Sequence, residues 1–440
     1  MKILSLTAGA ANMYCGSCLR DNALARELRR MGHDVMFIPL YTPTRTDEEN
    51  QSAGSPVLFG GISVYLQQQS ALFRHTPWLL DRLWDSRWAL RAAARRSLAV
   101  DPKFLGAMAV SMLEGEEGAI AKEFLKLQDW LMHQDRPEVI QLPNTLLISL
   151  ASSIRRIYDG PLCCTLQGED LFLRGLPEPY RSRSLHLIRQ HLQSVDAFVS
   201  VSVAYADEMS SLLAIPREKV HIVPLGVEAA NYALAPRRAE PWTLGYLARI
   251  APEKGLHLLA EAWRRFRSMH QGPARVIAAG YLAPEHHAYL DAVRQQLGEE
   301  FAYHGEPDQA GKSAFLASLD AFCVPAAYDE PKGIYVLEAM AAGVPVVAPA
   351  RGALKEHVET TGGGIAVTPD DPDALARALL QLREDGKLSG TLARQGYDGV
   401  RRHYSLRAMA ERTLALYGSL LRPGASATIE PLGAGSRRHP

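Results

Sequence analysis

The stretch from Tyr328 to Gly343 constrains the fold of this chain more strongly than any other part of the sequence. It reads Tyr-Asp-Glu-Pro-Lys-Gly-Ile-Tyr-Val-Leu-Glu-Ala-Met-Ala-Ala-Gly. Pro331 and Gly333 mark a turn, the following apolar run predicts a short helix, and Gly343 is a typical helix stop. Residues 344–348, Val-Pro-Val-Val-Ala, predict a buried parallel strand. A loop, a helix and a buried parallel strand in this order are typical of an α/β domain.

Two glutamates flank the start of this helix. Glu330 lies in the loop before it, and Glu338 lies about one turn inside it. A helix N-terminus presents free N–H groups and a partial positive charge, which suit a phosphate. A carboxylate one turn deeper accepts hydrogen bonds from a vicinal diol such as a ribose. The stretch therefore predicts a nucleoside diphosphate site, with Lys332, Gly333 and Ile334 at the helix start.

A second stretch, residues 244–259, supplies two cations. Residues 244–247 end a predicted strand, and a helix begins near Gly255. Arg249 and Lys254 are therefore placed at the carboxyl end of a strand, the edge at which open α/β sheets bind ligands. Two cations there neutralise a pyrophosphate without a metal ion. The structural alternative is a solvated loop for the cations and an exposed helix face for the glutamates.

Together, the Arg-x4-Lys-Gly pattern at 249–255 and the Glu-x7-Glu pattern at 330–338 resemble the donor site of the retaining glycosyltransferases of family 4, or group 1. The resemblance runs from residue 1 to about residue 417, and residues 42–130 match less well. It implies an α/β fold of GT-B architecture. This fold has two Rossmann-like domains with parallel sheets that face each other across a cleft, and a C-terminal helix that crosses back to the first domain.

The domain organisation follows from the resemblance and from the rhythm of strands and helices. The first domain is expected over residues 1–232, with a helical insertion at about 66–130, and is joined by residues 403–421. The donor domain is expected over residues 243–402. Residues 422–440 are rich in Gly, Ala, Ser and Pro and are predicted to be disordered.

Short apolar runs predict the strands of both domains. Those of the first domain are predicted at 2–7, 34–40, 139–142, 162–166, 198–203 and 220–223. Those of the second are predicted at 243–247, 275–279, 301–303, 321–324, 344–348 and 365–367. A loop is predicted over 9–22, before a helix at 22–31, and a second loop over 111–118, before a helix at 119–133.

The resemblance also implies functional residues in the first domain. Gly16 is the counterpart of a family glycine beside the donor. Gln167 stands where the family usually has a histidine near the donor sugar, so that its role is positioning rather than proton transfer. Asn144 and Asp170 are placed on the acceptor side. Gln167 and Glu330 are the candidate catalytic residues, because Glu330 is expected to hold the donor sugar or its phosphates.

Cys15-x-x-Cys18 lies in the same loop and has two interpretations. A CxxC near a βαβ pattern is typical of a redox or zinc site. Zinc needs a second pair of ligands, and Cys163-Cys164 is adjacent rather than spaced. The alternative is a pair of small residues in a tight loop.

The chemistry implied by the resemblance is sugar transfer from a nucleotide diphosphate sugar with retained anomeric configuration. The acceptor is a carbohydrate, a lipid or a small molecule. Arg249, Lys254 and the helix start stabilise the leaving diphosphate. No metal cofactor is expected, because no Asp-x-Asp or clustered His/Asp/Glu pattern accompanies these residues. The alternatives are a nucleotide-sugar epimerase, a glycogen-synthase-like enzyme and a non-catalytic nucleotide-sugar-binding protein.

Composition excludes some classes of protein. Lys and Arg together number 48, as do Asp and Glu, which argues against a nucleic-acid partner. No run of eighteen apolar residues and no signal peptide are recognised, and the five cysteines are an odd number. A cytoplasmic location is therefore expected. Trp78, Trp84 and Trp88, interspersed with arginines, predict either peripheral membrane or acceptor contact or an insertion packed on the first domain.

Overall fold

The computed structural model describes residues 1–9, 16–42, 49–59, 61–69, 102–234 and 240–422. The tryptophan-rich segment at 78–88, Cys15 and nearly all of the predicted disordered tail lie outside these ranges. The chain divides into two compact units. Among the described residues, the first contains 1–201, 205–223 and 410–422, and the second contains 202–204 and 224–409.

The first unit is built on a six-stranded parallel sheet in the order β2-β1-β3-β4-β5-β6. Its strands are buried apolar runs, as parallel strands covered on both faces require. They are β1 Lys2–Thr7, β2 Asp34–Pro39, β3 Val139–Leu142, β4 Leu162–Leu166, β5 Ala197–Ser200 and β6 Val220–Ile222. All six predicted strands are present, and β5 ends three residues earlier than expected.

Helices connect these strands. They are α1 Gly16–Arg30, α2 Gly61–Gln69, α3 Pro102–Glu114, α4 Ala121–Met132, α5 Ser149–Ile154, α6 Asp170–Gly175, α7 Tyr180–His191 and α8 Val203–Leu213. None of the helices that the structure describes, in either unit, has the length and hydropathy needed to cross a membrane.

The predicted loop up to residue 22 is wrong, because α1 already begins at Gly16. Its first turns contain polar residues that are typical of a loop, yet Arg20, Asp21 and Asn22 are buried and hydrogen-bonded within the fold. Arg20 pairs with Asp21 at 2.9 Å. The amide of Asn22 donates to the carbonyl of Glu49 at 3.0 Å, and its oxygen accepts the N–H of Gln51 at 2.8 Å. Long-range partners therefore permit a helix that local composition disfavours.

The predicted loop over 111–118 is also partly wrong. α3 continues to Glu114, because Met112 and Leu113 are buried on its inner face. Gly115, with a φ of 62°, then ends the helix. A short 3-10 turn follows before α4.

The second unit contains a parallel sheet in the order β12-β11-β10-β7-β8-β9. Its strands are β7 Trp242–Leu247, β8 Ala274–Ala279, β9 Phe301–Tyr303, β10 Ala321–Cys323, β11 Val346–Pro349 and β12 Gly364–Val367. Its helices are α9 Leu256–Met269, α10 His287–Leu297, α11 Gln309–Leu316, α12 Ile334–Ala341, α13 Gly352–Thr361, α14 Pro372–Glu384 and α15 Gly386–His403. Each predicted strand is confirmed within two residues at either end.

The last helix, α16, spans Leu406–Leu421. Its residues from 410 onward belong to the first unit, where Tyr417 donates to Oε1 of Gln141 on β3 at 3.0 Å. A C-terminal helix that returns to the first domain was expected from the resemblance and is confirmed.

Candidate active site

The two motif-bearing stretches meet because their strands are neighbours. β7 leads to a 3-10 turn over Pro252–Lys254, and β10 leads to the loop that carries Glu330. These strands pair in parallel, so their carboxyl ends share one edge of the sheet. Gly255 closes the first turn with a φ of 75°, and a Cβ there would lie 1.9 Å from the carbonyl oxygen of Pro325. Only glycine permits this approach.

Lys254 and Glu330 form a buried ion pair, and the hydroxyl groups of two tyrosines contact it. The Lys254 ammonium donates to Oε2 of Glu330 and, at 2.6 Å, to the hydroxyl of Tyr328. Tyr328 and Tyr335 donate to the same Oε2, at 2.8 and 3.0 Å. Oε2 therefore receives three donors, whereas Oε1 is approached by the backbone N–H of Lys332 at 3.4 Å.

This environment keeps Glu330 ionised. Burial by itself raises the pKa of Glu330, but the charge of Lys254 and the hydrogen bonds from Lys254 and both tyrosines outweigh it and lower the pKa to about 2. Burial of the hydroxyl groups and then the charge of Glu330 raise the pKa of Tyr328 and Tyr335 above the ordinary range. Both tyrosines, whose rings are only partly buried, therefore stay protonated and act as donors.

The N-terminus of α12 is held by α13. Gly333 precedes α12 with a φ of 57°, and a Cβ there would lie 2.6 Å from Cδ2 of Leu354. His357 Nε2 lies 2.7 Å from the carbonyl oxygen of Lys332. Burial lowers the pKa of His357 to about 4, against the opposing effects of this hydrogen bond and of Glu330. The neutral ring therefore donates from Nε2 and fixes the peptide that precedes the N-terminus of α12.

One carboxylate oxygen of Glu338 is also held by a lysine and a tyrosine. Its Oε1 accepts from Lys312 on α11 at 2.6 Å and from the hydroxyl of Tyr232 at 3.1 Å. The Glu338 side chain is 12% exposed and that of Lys312 is 18% exposed. Neither Lys312 nor Tyr232 is near the motif in sequence, so no local signal indicated them.

Arg249 differs from Lys254. Its side chain is 58% exposed and pairs with Glu253 at 2.9 Å. The sequence predicted two cations available to a pyrophosphate, and the structure adds that each already has a carboxylate partner. The structure thus brings Lys254, Glu330, Lys332, Gly333 and Ile334 together at one sheet edge and places Arg249 at its exposed side.

Gln167 lies in the first unit and is 3% exposed. Its Nε2 donates to the carbonyl of Pro143 at 2.8 Å and lies 3.4 Å from Oδ2 of Asp21. Its Oε1 is buried and has no hydrogen-bond partner among the residues that the structure describes. An unpaired buried acceptor of this kind is uncommon in folded proteins.

The acceptor-side residues are fixed by neighbours. Asn144 accepts the N–H of Leu146 at 3.1 Å and caps a short 3-10 turn. Asp170 is 3% exposed, and its Oδ1 accepts from the hydroxyl of Tyr205 at 2.9 Å. Glu169, which sequence reasoning did not select, accepts at both of its carboxylate oxygens. Its donors are Thr145 N and Oγ1 and Gln167 N, and it shares the single proton of the Tyr205 hydroxyl with Asp170.

Gly16 is the first residue of α1 and, with Cys18, lies in a helix rather than in the predicted loop. Cys18 is 2% exposed, and its sulfur accepts from Thr7 at 3.7 Å. Burial raises the pKa of the Cys163 and Cys164 thiols far above their ordinary value, which makes them poor nucleophiles and ligands. Within the described ranges, no three His, Cys, Asp or Glu side chains are grouped so as to hold a metal ion.

Two stretches of the chain match known protein families. A model of glycosyl transferases group 1 matches residues 235–399, and a model of the glycosyl transferase 4-like domain matches residues 21–226. Together these ranges contain every predicted site residue except Gly16.

Similar curated proteins come from Mycobacterium tuberculosis. A glycogen synthase is 27% identical over 286 residues, which cover 64% of this chain and 69% of that protein. A phosphatidyl-myo-inositol mannosyltransferase is 27% identical over 320 residues, which cover 69% and 79% respectively.

Solved structures show the same fold. Sucrose-phosphate synthase from Thermosynechococcus elongatus aligns with a TM-score of 0.68 at 17% identity, over 96% of this chain and 99% of that one. Anabaena HepE in complex with UDP aligns with a TM-score of 0.66 at 17% identity, over 95% and 100%. The protein is a two-domain α/β glycosyltransferase of GT-B architecture. It belongs to the group 1 glycosyltransferases of family 4, which transfer a sugar from a nucleotide-sugar donor.

Proposed function

We propose that this protein transfers a hexose from a nucleoside diphosphate sugar to a carbohydrate or lipid acceptor, with retained anomeric configuration and without a metal ion. The observation that carries the proposal is the arrangement of the two motif glutamates around α12. Each has one oxygen held by a lysine and at least one tyrosine. The other oxygen of Glu338, and that of Glu330, which receives only the Lys332 N–H at 3.4 Å, are therefore proposed to accept hydrogen bonds from the nucleotide sugar.

In this proposal, the donor diphosphate binds at the N-terminus of α12. The first N–H groups of that helix have no partners within the helix and carry a partial positive charge. Lys332 adds positive charge beside them, and Lys254 and Arg249 supply cationic hydrogen-bond donors whose charges are compensated by Glu330 and Glu253. Charge develops on the leaving diphosphate in the transition state, so donors fixed beforehand lower the barrier.

Glu330 then contacts the transferred sugar through Oε1. Its Oε2 is occupied by three donors and its pKa is lowered to about 2, so Glu330 is a strong acceptor but a weak base. This favours a role in holding a sugar hydroxyl over covalent attack. We therefore propose attack by the acceptor on the face that the diphosphate leaves, which retains configuration.

The hexose and the two acceptor classes are proposed because similar proteins are named as a glycogen synthase and as a phosphatidyl-myo-inositol mannosyltransferase. If the acceptor is a lipid, we expect peripheral contact with a membrane surface at the cytoplasmic face. Sedimentation with anionic vesicles tests that expectation separately.

A donor panel tests the proposal. Glucose and mannose donors of UDP, GDP and ADP are screened by thermal shift, and any stabilising donor is assayed for turnover with maltooligosaccharide or phosphatidylinositol. Lys254→Met should lower turnover by about 10²–10³-fold, the usual cost of one transition-state donor. Lys387→Met, on an exposed helix face, is the matched control and should retain activity.

The same assay separates the alternatives. Proton NMR of freshly formed product should show the anomeric configuration of the donor. An epimerised donor without acceptor would show an epimerase, and binding without any turnover would indicate a binding protein. Inverted product would contradict the proposed geometry of attack.

A further inference from the structure

Glu338 is held by two residues outside the sequence motif. Lys312 lies on α11 and Tyr232 lies on the segment after β6, and both donate to Oε1 of Glu338. A further hydrogen bond connects α11 to the segment that contains Tyr232, because Gln309 Nε2 lies 3.3 Å from the Tyr232 hydroxyl. Ser313 also donates to the carbonyl of Asn231 at 2.8 Å. Lys312 and Tyr232 thus approach Glu338 from a preassembled support.

This arrangement repeats the one at Glu330. There, a lysine and two tyrosines occupy Oε2, and here a lysine and a tyrosine occupy Oε1 of Glu338. A carboxylate bound at one oxygen cannot rotate freely about its last bond, so its second oxygen keeps a fixed direction. Both glutamates are therefore oriented before any ligand binds.

Charge gives the lysine a second role. A nucleoside diphosphate sugar carries two negative charges, and a bare carboxylate on the helix that holds the diphosphate would repel it. Lys312 compensates Glu338 as Lys254 compensates Glu330. Both motif carboxylates can then lie close to the diphosphate, because each is part of a neutral pair.

We propose that Lys312 and Tyr232 are positioning residues for the donor ribose. They hold Glu338 with Oε2 toward the ribose diol, and Lys312 cancels the charge of Glu338 beside the diphosphate. This inference rests on the proposed donor site and adds two residues that neither motif contains.

The experiment is calorimetric titration of UDP, GDP and ADP into the wild-type protein, followed by the best-bound nucleotide with each variant. Lys312→Met should raise Kd by about tenfold, the effect of losing one charge-assisted contact. Lys312→Arg should recover most of the affinity, and Tyr232→Phe should raise Kd by about threefold. Lys387→Met should bind as the wild type does.

In turnover assays of Lys312→Met, KM for the sugar donor should rise while kcat stays nearly constant, since the ribose contact is the same in ground and transition states.

A ribose-specific readout separates positioning from a general structural role. With the 2′,3′-dideoxy form of the same nucleotide, the orientation effect should vanish, and Lys312→Met should raise Kd far less. Lys312→Met should also have little additional effect in a Glu338→Gln background, because the neutral amide needs no counter-charge.

Two results would overturn the inference. One is a folded Lys312→Met protein that binds the ribonucleotide with the wild-type Kd. The other is an equal loss of affinity for the ribo and dideoxy forms, additive with Glu338→Gln. If the wild type binds none of the three nucleotides, the proposed function falls and the inference falls with it. If the wild type binds one and Lys312→Met has no effect, only the inference falls.

Discussion

Buried carboxylates are used differently in the two units. In the second unit, Glu330 and Glu338 each have one oxygen occupied by a lysine and a tyrosine. In the first unit, Glu169 accepts hydrogen bonds at both oxygens from uncharged donors. A carboxylate with both oxygens firmly satisfied by uncharged donors stabilises a loop. Glu330 and Glu338 instead have their strong donors and their counter-charge at one oxygen, and Oε1 of Glu330 receives only the long contact from Lys332 N at 3.4 Å. We therefore propose a structural role for this residue type in the first unit and a binding role in the second.

The largest effect is expected from Glu330→Gln. The substitution leaves the Lys254 ammonium buried without a counter-charge, and breaking such a pair costs about 3–5 kcal/mol. Both turnover and the free energy of unfolding should fall, as measured by donor hydrolysis and by urea denaturation. The double variant Glu330→Gln/Lys254→Met should regain stability without regaining turnover. Recovery of turnover in the double variant would show that the pair is structural only.

The second effect concerns pH and His357. The pKa of His357 is lowered from 6.5 to about 4 in the folded protein. The unfolded chain therefore binds more protons between these values, and stability falls as the pH falls through this window. Between pH 7.5 and pH 5, the contribution lost is about 2 kcal/mol.

Urea denaturation at the two pH values measures this loss, and His357→Gln should reduce it. Glutamine keeps a donor for the carbonyl of Lys332 but cannot titrate. Glu330 contributes to the free energy of unfolding in a different pH range. Its lowered pKa stabilises the fold above about pH 4.5, and that contribution is lost only as the pH falls toward 2. If His357→Gln loses as much free energy of unfolding between pH 7.5 and pH 5 as the wild type does, His357 is not the group that makes stability depend on pH in this window.

The structure explains how far sequence reasoning could reach. Lys254, Glu330 and Glu338 were recognisable because each lies at a fixed spacing beside a predictable strand or helix. Their partners were not recognisable, because Lys312 and Tyr232 reach Glu338 only through the folded chain. The start of α1 was missed for the same reason, since Asn22 in its first turns is held by Glu49 and Gln51, which are distant in sequence.

Substitution of Gln167, which lies in the first unit, should lower turnover by less than Glu330→Gln does. Gln167→Leu removes the amide that donates to the carbonyl of Pro143 and also removes the acceptor Oε1. The buried carbonyl of Pro143 is then left without a donor, which costs roughly 1–3 kcal/mol. Turnover should fall by about tenfold or more. Gln167→His should retain substantial activity and add a titration step near neutral pH that the wild-type rate profile lacks. Equal turnover in Gln167→Leu and the wild type would remove Gln167 from the site.

The smallest effect is expected from chelation. Since Lys254, Arg249 and the N-terminus of α12 are proposed to neutralise the diphosphate, EDTA should leave turnover within about twofold of its starting value. Loss of activity that magnesium or manganese restores would show that a metal performs this neutralisation.

The most direct measurement is the Kd of the best-bound nucleoside diphosphate for the wild type, Glu338→Gln and Glu169→Gln, by calorimetric titration. Glu338→Gln should weaken binding by about tenfold, because it removes a ligand contact, and should also lower the melting temperature, because Lys312 loses its counter-charge. Glu169→Gln should lower the melting temperature and leave Kd unchanged, because its partners all lie within the protein. Wild-type affinity in Glu338→Gln, or an equal loss in Glu169→Gln, would contradict the assignment of the donor site to the second unit.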